Sequence, residues 1–165
     1  EIQPSFSSHL SMSRKIEYQL SKIKEGNGKV LCTSTGDELA AMPTYMKLIS
    51  RLNDRVKLPY AEFILSLYPG ESLSNEQWIS LTGEYIERMG YGKSCYAVVL
   101  NTDKAHSHVH VLLTTIDEEG KSIPAGNNYS RSEKISRELE LKYGLLPLER
   151  VGGKKIALGL SLIHI

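Results

Sequence analysis

Three of the five histidines of this 165-residue chain fall within five residues. His106, His108 and His110 alternate with other residues ahead of an aliphatic run, a pattern typical of a β-strand. Alternate side chains of a strand point to the same face, so the three imidazoles would form a row. Neutral imidazole nitrogen is a common ligand of divalent ions. The spacing therefore predicts a metal site on a strand.

Asp103, just ahead of this strand, strengthens that interpretation. A carboxylate can accept a hydrogen bond from the far nitrogen of a metal-binding histidine and fix its tautomer. For a single histidine, a solvated strand face would be the better interpretation, but three in register favour a site. A structural zinc site is less suitable, because one strand cannot close a tetrahedron and no cysteine lies nearby.

Composition indicates one globular domain that is not strongly charged. The chain is 41% apolar and 24% charged, with a net charge of +1, so any nucleic-acid-binding surface must be local. No apolar run approaches the roughly 20 residues that span a bilayer, so no membrane partner is expected. Cys32 and Cys95 are far apart and outside any CxxC motif, which favours a reduced, cytoplasmic protein.

The elements that must position the histidines are predicted from periodicity and from capping and turn residues, among them a capping box formed by Ser74 and Gln77. Helices are predicted over residues 11–24, 38–54, 74–89 and 132–143, and strands over 29–32, 60–68, 96–100 and 106–115. The link between the last two strands is too short for a helical crossover, so they should pair antiparallel. The sequence therefore predicts an α+β fold with a central, mostly antiparallel sheet and helices packed on it.

The predicted elements lie within residues 1–150, which we expect to form one domain truncated at both ends. Residues 151–159 would be a linker or the start of the next element. The closing hexapeptide LSLIHI resembles a translated sequencing adapter, so residues 160–165 are expected to lie outside the fold, with His164 excluded as a ligand. The alternative is a hydrophobic strand that opens the next element.

A family resemblance extends over roughly residues 9 to 149. NTDKAHSHVHVLLTTID resembles the histidine motif of conjugative relaxases, the plasmid mobilisation nucleases of the HUH endonuclease superfamily. In the family's order, Glu17-Tyr18 resembles the catalytic-tyrosine motif and FILSLYPGE resembles a segment whose serine, here Ser66, is associated with DNA contact. RSEKISRELELKYGL resembles the helix that follows the sheet. The resemblance implies a two-layer sandwich.

It also implies a mechanism. Relaxases nick one DNA strand at a transfer origin with a tyrosine, leaving a 5′-phosphotyrosine and a free 3′ hydroxyl. Tyr18 would be that nucleophile; it lies off the apolar stripe of its predicted helix. A phenol with a pKa near 10 needs activation, which the resemblance assigns to Mg²⁺ or Mn²⁺ bound by His108 and His110. The implied partners are single-stranded DNA and accessory mobilisation proteins of a relaxosome.

The sequence departs from the family at one ligand. Relatives commonly carry His-x-Asp where this chain has Asn101-Thr102-Asp103, and that histidine supplies the third ligand. Asn101 could offer its amide oxygen, and His106 is the alternative third ligand. An amide oxygen is a weaker donor than imidazole, so metal affinity and activity are in question.

DNA binding requires cations near the nucleophile. The first predicted helix supplies Arg14, Lys15, Lys22 and Lys24 around Tyr18. The alternative for such charges is a solvated helix face.

Two other functions fit parts of the sequence. HSHVHVLL resembles the signature of histidine-triad nucleotide hydrolases and transferases, in which His108 or His110 would attack an α-phosphate without a metal. Ser107 breaks that pattern where an apolar residue is expected. The third possibility is a non-catalytic DNA-binding module whose metal site was lost with Asn101.

Overall fold

The computed structural model describes residues 5–7, 9–103, 107–145, 149–151, 154–156 and 161–163. In this part of the chain the helices are α1 (His9–Lys24), α2 (Met42–Ser50), α3 (Asn75–Arg88) and α4 (Asn128–Lys142), with a 3-10 turn at Leu39–Ala41. None of these helices has both the length and the apolar character needed to cross a membrane.

The strands form one main sheet and a small hairpin. They are β1 (Ser5–Ser7), β2 (Gly28–Thr33), β3 (Tyr60–Ser66), β4 (Ser94–Asn101), β5 (His108–Asp117), β6 (Glu149–Val151), β7 (Lys154–Ile156) and β8 (Ser161–Ile163). The main sheet has the order β1–β3–β5–β4–β2, and β8 also pairs with β3. Every pairing is antiparallel. This confirms the predicted α+β class.

Helices cover both faces of the sheet. On one face, α3 and α4 contribute residues such as Trp78 and Leu139 to a core that includes Phe63 and Val111. On the other, α1 and α2 contribute Met12 and others to a second core. The sandwich therefore has three layers, not the two expected. The physical reason is that β3, β4 and β5 carry apolar side chains on both faces, so both faces must be covered.

Local sequence accounts for where the helices begin. Ser74 accepts a hydrogen bond from the Gln77 backbone N–H and Gln77 bonds back to the Ser74 backbone, the predicted capping box at the start of α3. The predicted helix over 38–54 is shorter, because a 3-10 turn precedes Met42 and Pro43 lies in the first turn of α2. Proline is tolerated there, since the first-turn N–H groups have no partner within the helix.

The chain beyond α4 contributes more strands than predicted. Within the predicted linker, Lys154–Ile156 pairs with Glu149–Val151. Ser161–Ile163 pairs with Ile64–Ser66, the last three residues of β3. The origin of residues 160–165 in a sequencing adapter stays a prediction. His164 lies outside the described residues.

Candidate active site

Two histidines share one face of the central strand. β5 begins at His108 and carries His110 two residues later, so both side chains leave the sheet on the same side. Their ring centroids are 5.2 Å apart. Both are largely buried, because this is the face that α1 covers. The third histidine of the motif, His106, lies outside the described residues.

Strand register builds a row of polar residues around this pair. β5 lies between β3 and β4, and the residues directly opposite His108 are Ser66 on β3 and Asn101 on β4. Residues paired across neighbouring strands project to the same face. All three are buried. The predicted DNA contact Ser66 and the predicted ligand Asn101 therefore flank His108 inside the protein.

Glu62 is a site residue that the sequence reasoning missed. This buried carboxylate on β3 lies 3.3 Å from Nδ1 of His110 and 3.7 Å from Nζ of Lys15. An ionised carboxylate can only accept hydrogen bonds, so Nδ1 of His110 donates and Nε2 keeps its lone pair for a ligand. The available signal was one charged residue in the otherwise uncharged strand YAEFILS. A buried charge of this kind requires partners.

Tyr18 and His110 line the same cavity. The cavity has a volume of about 440 Å³. Its lining residues are Ser11, Arg14, Lys15, Tyr18, Gln19, Glu62 and His110. Tyr18 itself is 56% exposed, because the buried side of α1 is formed by Met12 and Ile16. An accessible phenol and a buried imidazole thus border one space that is open to solvent.

Two side-chain contacts join α1 to the end of β4. The Asn101 amide nitrogen donates to Oε1 of Gln19 at 2.9 Å, and both residues are buried. Three residues further along the helix, Lys22 forms an ion pair with Asp103. The hydrogen bond from Lys22 lowers the pKa of Asp103 below its ordinary value, so this carboxylate stays ionised. The sequence placed Asp103 behind a histidine ligand, whereas in the structure its hydrogen bond is to Lys22.

The remaining predicted DNA-binding cations differ in their surroundings. Arg14 lines the cavity and is exposed, and Lys24 is exposed at the end of α1. Lys15 also lines the cavity, where its ammonium lies near the carboxylate of Glu62. Arg14 and Lys24 are therefore the cations of this set best placed to meet a phosphate backbone.

The donor set suits a divalent cation only in part. Among the described residues, no three or more histidine, cysteine, aspartate or glutamate side chains are grouped to hold a metal. His108 and His110 are nevertheless two imidazoles on one face, and Glu62 leaves Nε2 of His110 available. Asn101 donates through its amide nitrogen, so its amide oxygen remains the candidate third donor. Two imidazoles with an amide oxygen fit a divalent ion, with weaker binding than three imidazoles.

Comparison with known proteins agrees with this architecture. The chain resembles a structure solved in work on the "Molecular Basis of Vancomycin Resistance Transfer in Staphylococcus aureus", with a TM-score of 0.51 and 14% identity over 87% of this chain and 93% of that one. At that identity the likeness shows the fold alone. No curated protein sequence matches the chain.

A family model gives the more specific result. Residues 18–145 match the model described as "Relaxase: MobA/VirD2-like, nuclease domain". The match begins at the exposed tyrosine, includes Glu62 and the histidine strand, and ends after α4. It covers most of the 165 residues, and the resemblance inferred from the sequence is confirmed: the chain belongs to the MobA/VirD2-like relaxase nuclease domains.

Proposed function

We propose that this domain nicks one DNA strand at a transfer origin, with Tyr18 as the nucleophile. The observation that carries the proposal is that Tyr18 and His110 border one cavity of about 440 Å³. A nucleophile and a histidine pair that act on one phosphate must face the same space. The family match favours this reaction over histidine-triad chemistry, which needs no tyrosine.

The reaction is a transfer of the phosphodiester to the protein. The Tyr18 hydroxyl gives up its proton and its oxygen bonds to phosphorus, while the bond from phosphorus to the 3′ oxygen breaks. The 3′ oxygen takes up a proton and leaves as a free hydroxyl. The 5′ end stays on Tyr18 as a phosphodiester of the phenol, so a 3′ hydroxyl can later reverse the step and reseal the strand.

The buried residues supply the polar side of this site. His108 and His110 would hold a divalent ion, Mg²⁺ or Mn²⁺, with Asn101 as third ligand; when bound, such an ion polarises the scissile phosphate and offsets its developing charge. Glu62 fixes the orientation of His110 through the hydrogen bond to Nδ1. Arg14 and Lys24 would contact phosphates of the bound strand.

The proposed substrate is single-stranded DNA from a transfer origin, and accessory mobilisation proteins of a relaxosome are the proposed partners. A relaxase acts on plasmid DNA, so we place the protein in the cytoplasm. The non-catalytic module remains the second candidate, because the Asn101 substitution weakens the donor set.

A covalent adduct tests the proposal. Wild-type protein incubated with Mn²⁺ and single-stranded transfer-origin DNA should give a protein–DNA species that survives SDS, and EDTA should prevent its formation. Tyr18→Phe should abolish the adduct, since it removes the attacking oxygen. Tyr45→Phe is the matched control, because Tyr45 is 37% exposed and lines a different cavity. An adduct that persists in Tyr18→Phe would remove Tyr18 from the reaction.

A further inference from the structure

The surroundings of Lys22 differ from those of an ordinary surface lysine. Its side chain and that of Asp103 are only 18% and 17% exposed, and the two form an ion pair. One helical turn earlier, Gln19 bonds to Asn101. Residues three apart in a helix share a face. The face of α1 that meets the end of β4 is therefore fixed at two successive positions.

Lys22 also contacts the proposed nucleophile. Tyr18 precedes it by four residues, the spacing at which helical side chains meet. The Lys22 ammonium lies 5.5 Å from the centroid of the Tyr18 ring. The hydrogen bond to Asp103 raises the pKa of Lys22, against an opposing effect of burial, and the Tyr18 hydroxyl raises it further. Lys22 is thus a permanent cation and cannot serve as the base.

We propose that Lys22 is a positioning residue for the strand-transfer step, with Asp103 holding its ammonium against Tyr18. The inference rests on the proposed function. Negative charge grows on the tyrosine oxygen as its proton leaves, and it reappears when that oxygen departs during resealing. A fixed ammonium stabilises this charge in both directions, and no proton or electron passes through Lys22.

The ion pair distinguishes this role from phosphate binding. A lysine that serves a DNA backbone is best left free to approach it, whereas Lys22 already neutralises a carboxylate and is mostly shielded from water. Lys24, two residues further, is exposed. The same helix therefore offers a matched pair of lysines, one held against the tyrosine and one facing solvent.

Substitutions at Lys22 and Lys24 separate the roles. Lys22→Met should slow adduct formation by about tenfold, because no ammonium would stabilise the charge that develops on the tyrosine oxygen. DNA affinity, measured in a Tyr18→Phe background, should be essentially unchanged. Lys22→Arg should retain most of the rate. Lys24→Met should instead weaken DNA binding and make that binding less dependent on salt. Loss of DNA affinity in Lys22→Met that accounts for the lost rate would overturn the proposal.

Exchanging the charges of Lys22 and Asp103 distinguishes an effect on Tyr18 from a purely structural role of the ion pair. In the double variant Lys22→Asp with Asp103→Lys, the ion pair can re-form, but a carboxylate now approaches Tyr18. Thermal stability should recover relative to either single variant, and the adduct rate should not. Recovery of both would mean that the pair only braces α1 against β4, contrary to the proposal.

A spectroscopic measurement keeps the inference independent of nicking activity. The ¹³Cζ resonance of Tyr18 in ¹³C-tyrosine-labelled protein, assigned by its loss in Tyr18→Phe, reports charge near the phenol oxygen. It should move in Lys22→Met and in the exchanged variant, but not in Lys24→Met. If the wild type forms no adduct, the proposed function fails, and this resonance alone decides whether Lys22 acts on Tyr18. An unmoved resonance in Lys22→Met refutes the inference.

Discussion

Glu62 shows how a single buried charge can organise a site. Glu62 is 5% exposed, and its carboxylate lies between His110 and Lys15. Removing one partner of a buried ion pair typically costs about 3–5 kcal/mol, because the other charge is left without compensation. The group that Glu62 orients is the imidazole that borders the cavity with Tyr18.

Glu62→Gln should weaken metal binding. The amide keeps the shape of the side chain but loses the negative charge that makes the His110 imidazole a stronger metal ligand. We expect the Mn²⁺ dissociation constant measured by calorimetry to rise by about 10–100-fold, the range typical of residues that orient metal ligands. Glu118→Gln is the control, because Glu118 is exposed and lines the other cavity. Equal affinity in both variants would show that Glu62 does not support a metal ligand.

At the scale of elements, α1 and α3 have different tasks. α1 buries Met12 and Ile16 against the sheet while presenting Tyr18 and Lys22 near the end of β4. α3 packs on the opposite face, far from the histidines, and buries Trp78 and its neighbours. Changes in α3 should therefore act on stability and leave the chemistry intact.

Ser74→Ala tests that separation. Loss of an N-cap hydrogen bond typically costs about 1 kcal/mol, so the urea midpoint should fall with no change in the slope of the unfolding curve. The adduct rate per folded molecule should stay the same. Ser72→Ala, in the exposed loop before the helix, should leave the midpoint unchanged. A lower adduct rate in Ser74→Ala at full folding would contradict the assignment of separate tasks.

Periodicity and capping residues predicted most of these helices and strands, but not which of their faces pack against each other. Alternation along β5 placed His108 and His110 on one face, and the Ser74 capping box marked the start of α3. The pattern could not show that α1 covers the histidine face of the sheet, because both faces are covered by helices and the sequence does not indicate which helix covers which face. Nor could it pair Asp103 with Lys22 or Glu62 with His110, because these partners are distant in sequence and meet only through strand register.

On the scale of the whole molecule, the sheet separates two cores. One is built with α3 and α4 and includes the large aromatics Trp78 and Tyr85. The other is built with α1 and α2 and borders the polar row of His108, Ser66 and Asn101. The larger core stabilises the sheet that holds the histidines. The sheet can therefore carry a polar site on the face covered by α1, because the core on the opposite face stabilises it.

Shortening the chain tests the contribution of the tail. β8 adds backbone pairing to three residues of β3, yet residues 160–165 resemble a translated sequencing adapter and are expected to lie outside the fold. A chain ending at residue 159 should keep its adduct rate, with a thermal midpoint close to that of the full chain. A large fall in the midpoint, or loss of the adduct, would show that residues 160–165 belong to the functional fold.

The position of β5 has a consequence for biogenesis. It is the last of the three central strands to leave the ribosome, yet it lies between β3 and β4, which must leave room for it. Until about Asp117 is synthesised, the nascent chain carries the tyrosine helix but no histidine strand. The nascent chain therefore cannot form the proposed site before β5 is synthesised. Until then β3 and β4 each have an unpaired edge, and we expect this to be the stage at which chaperone protection matters most.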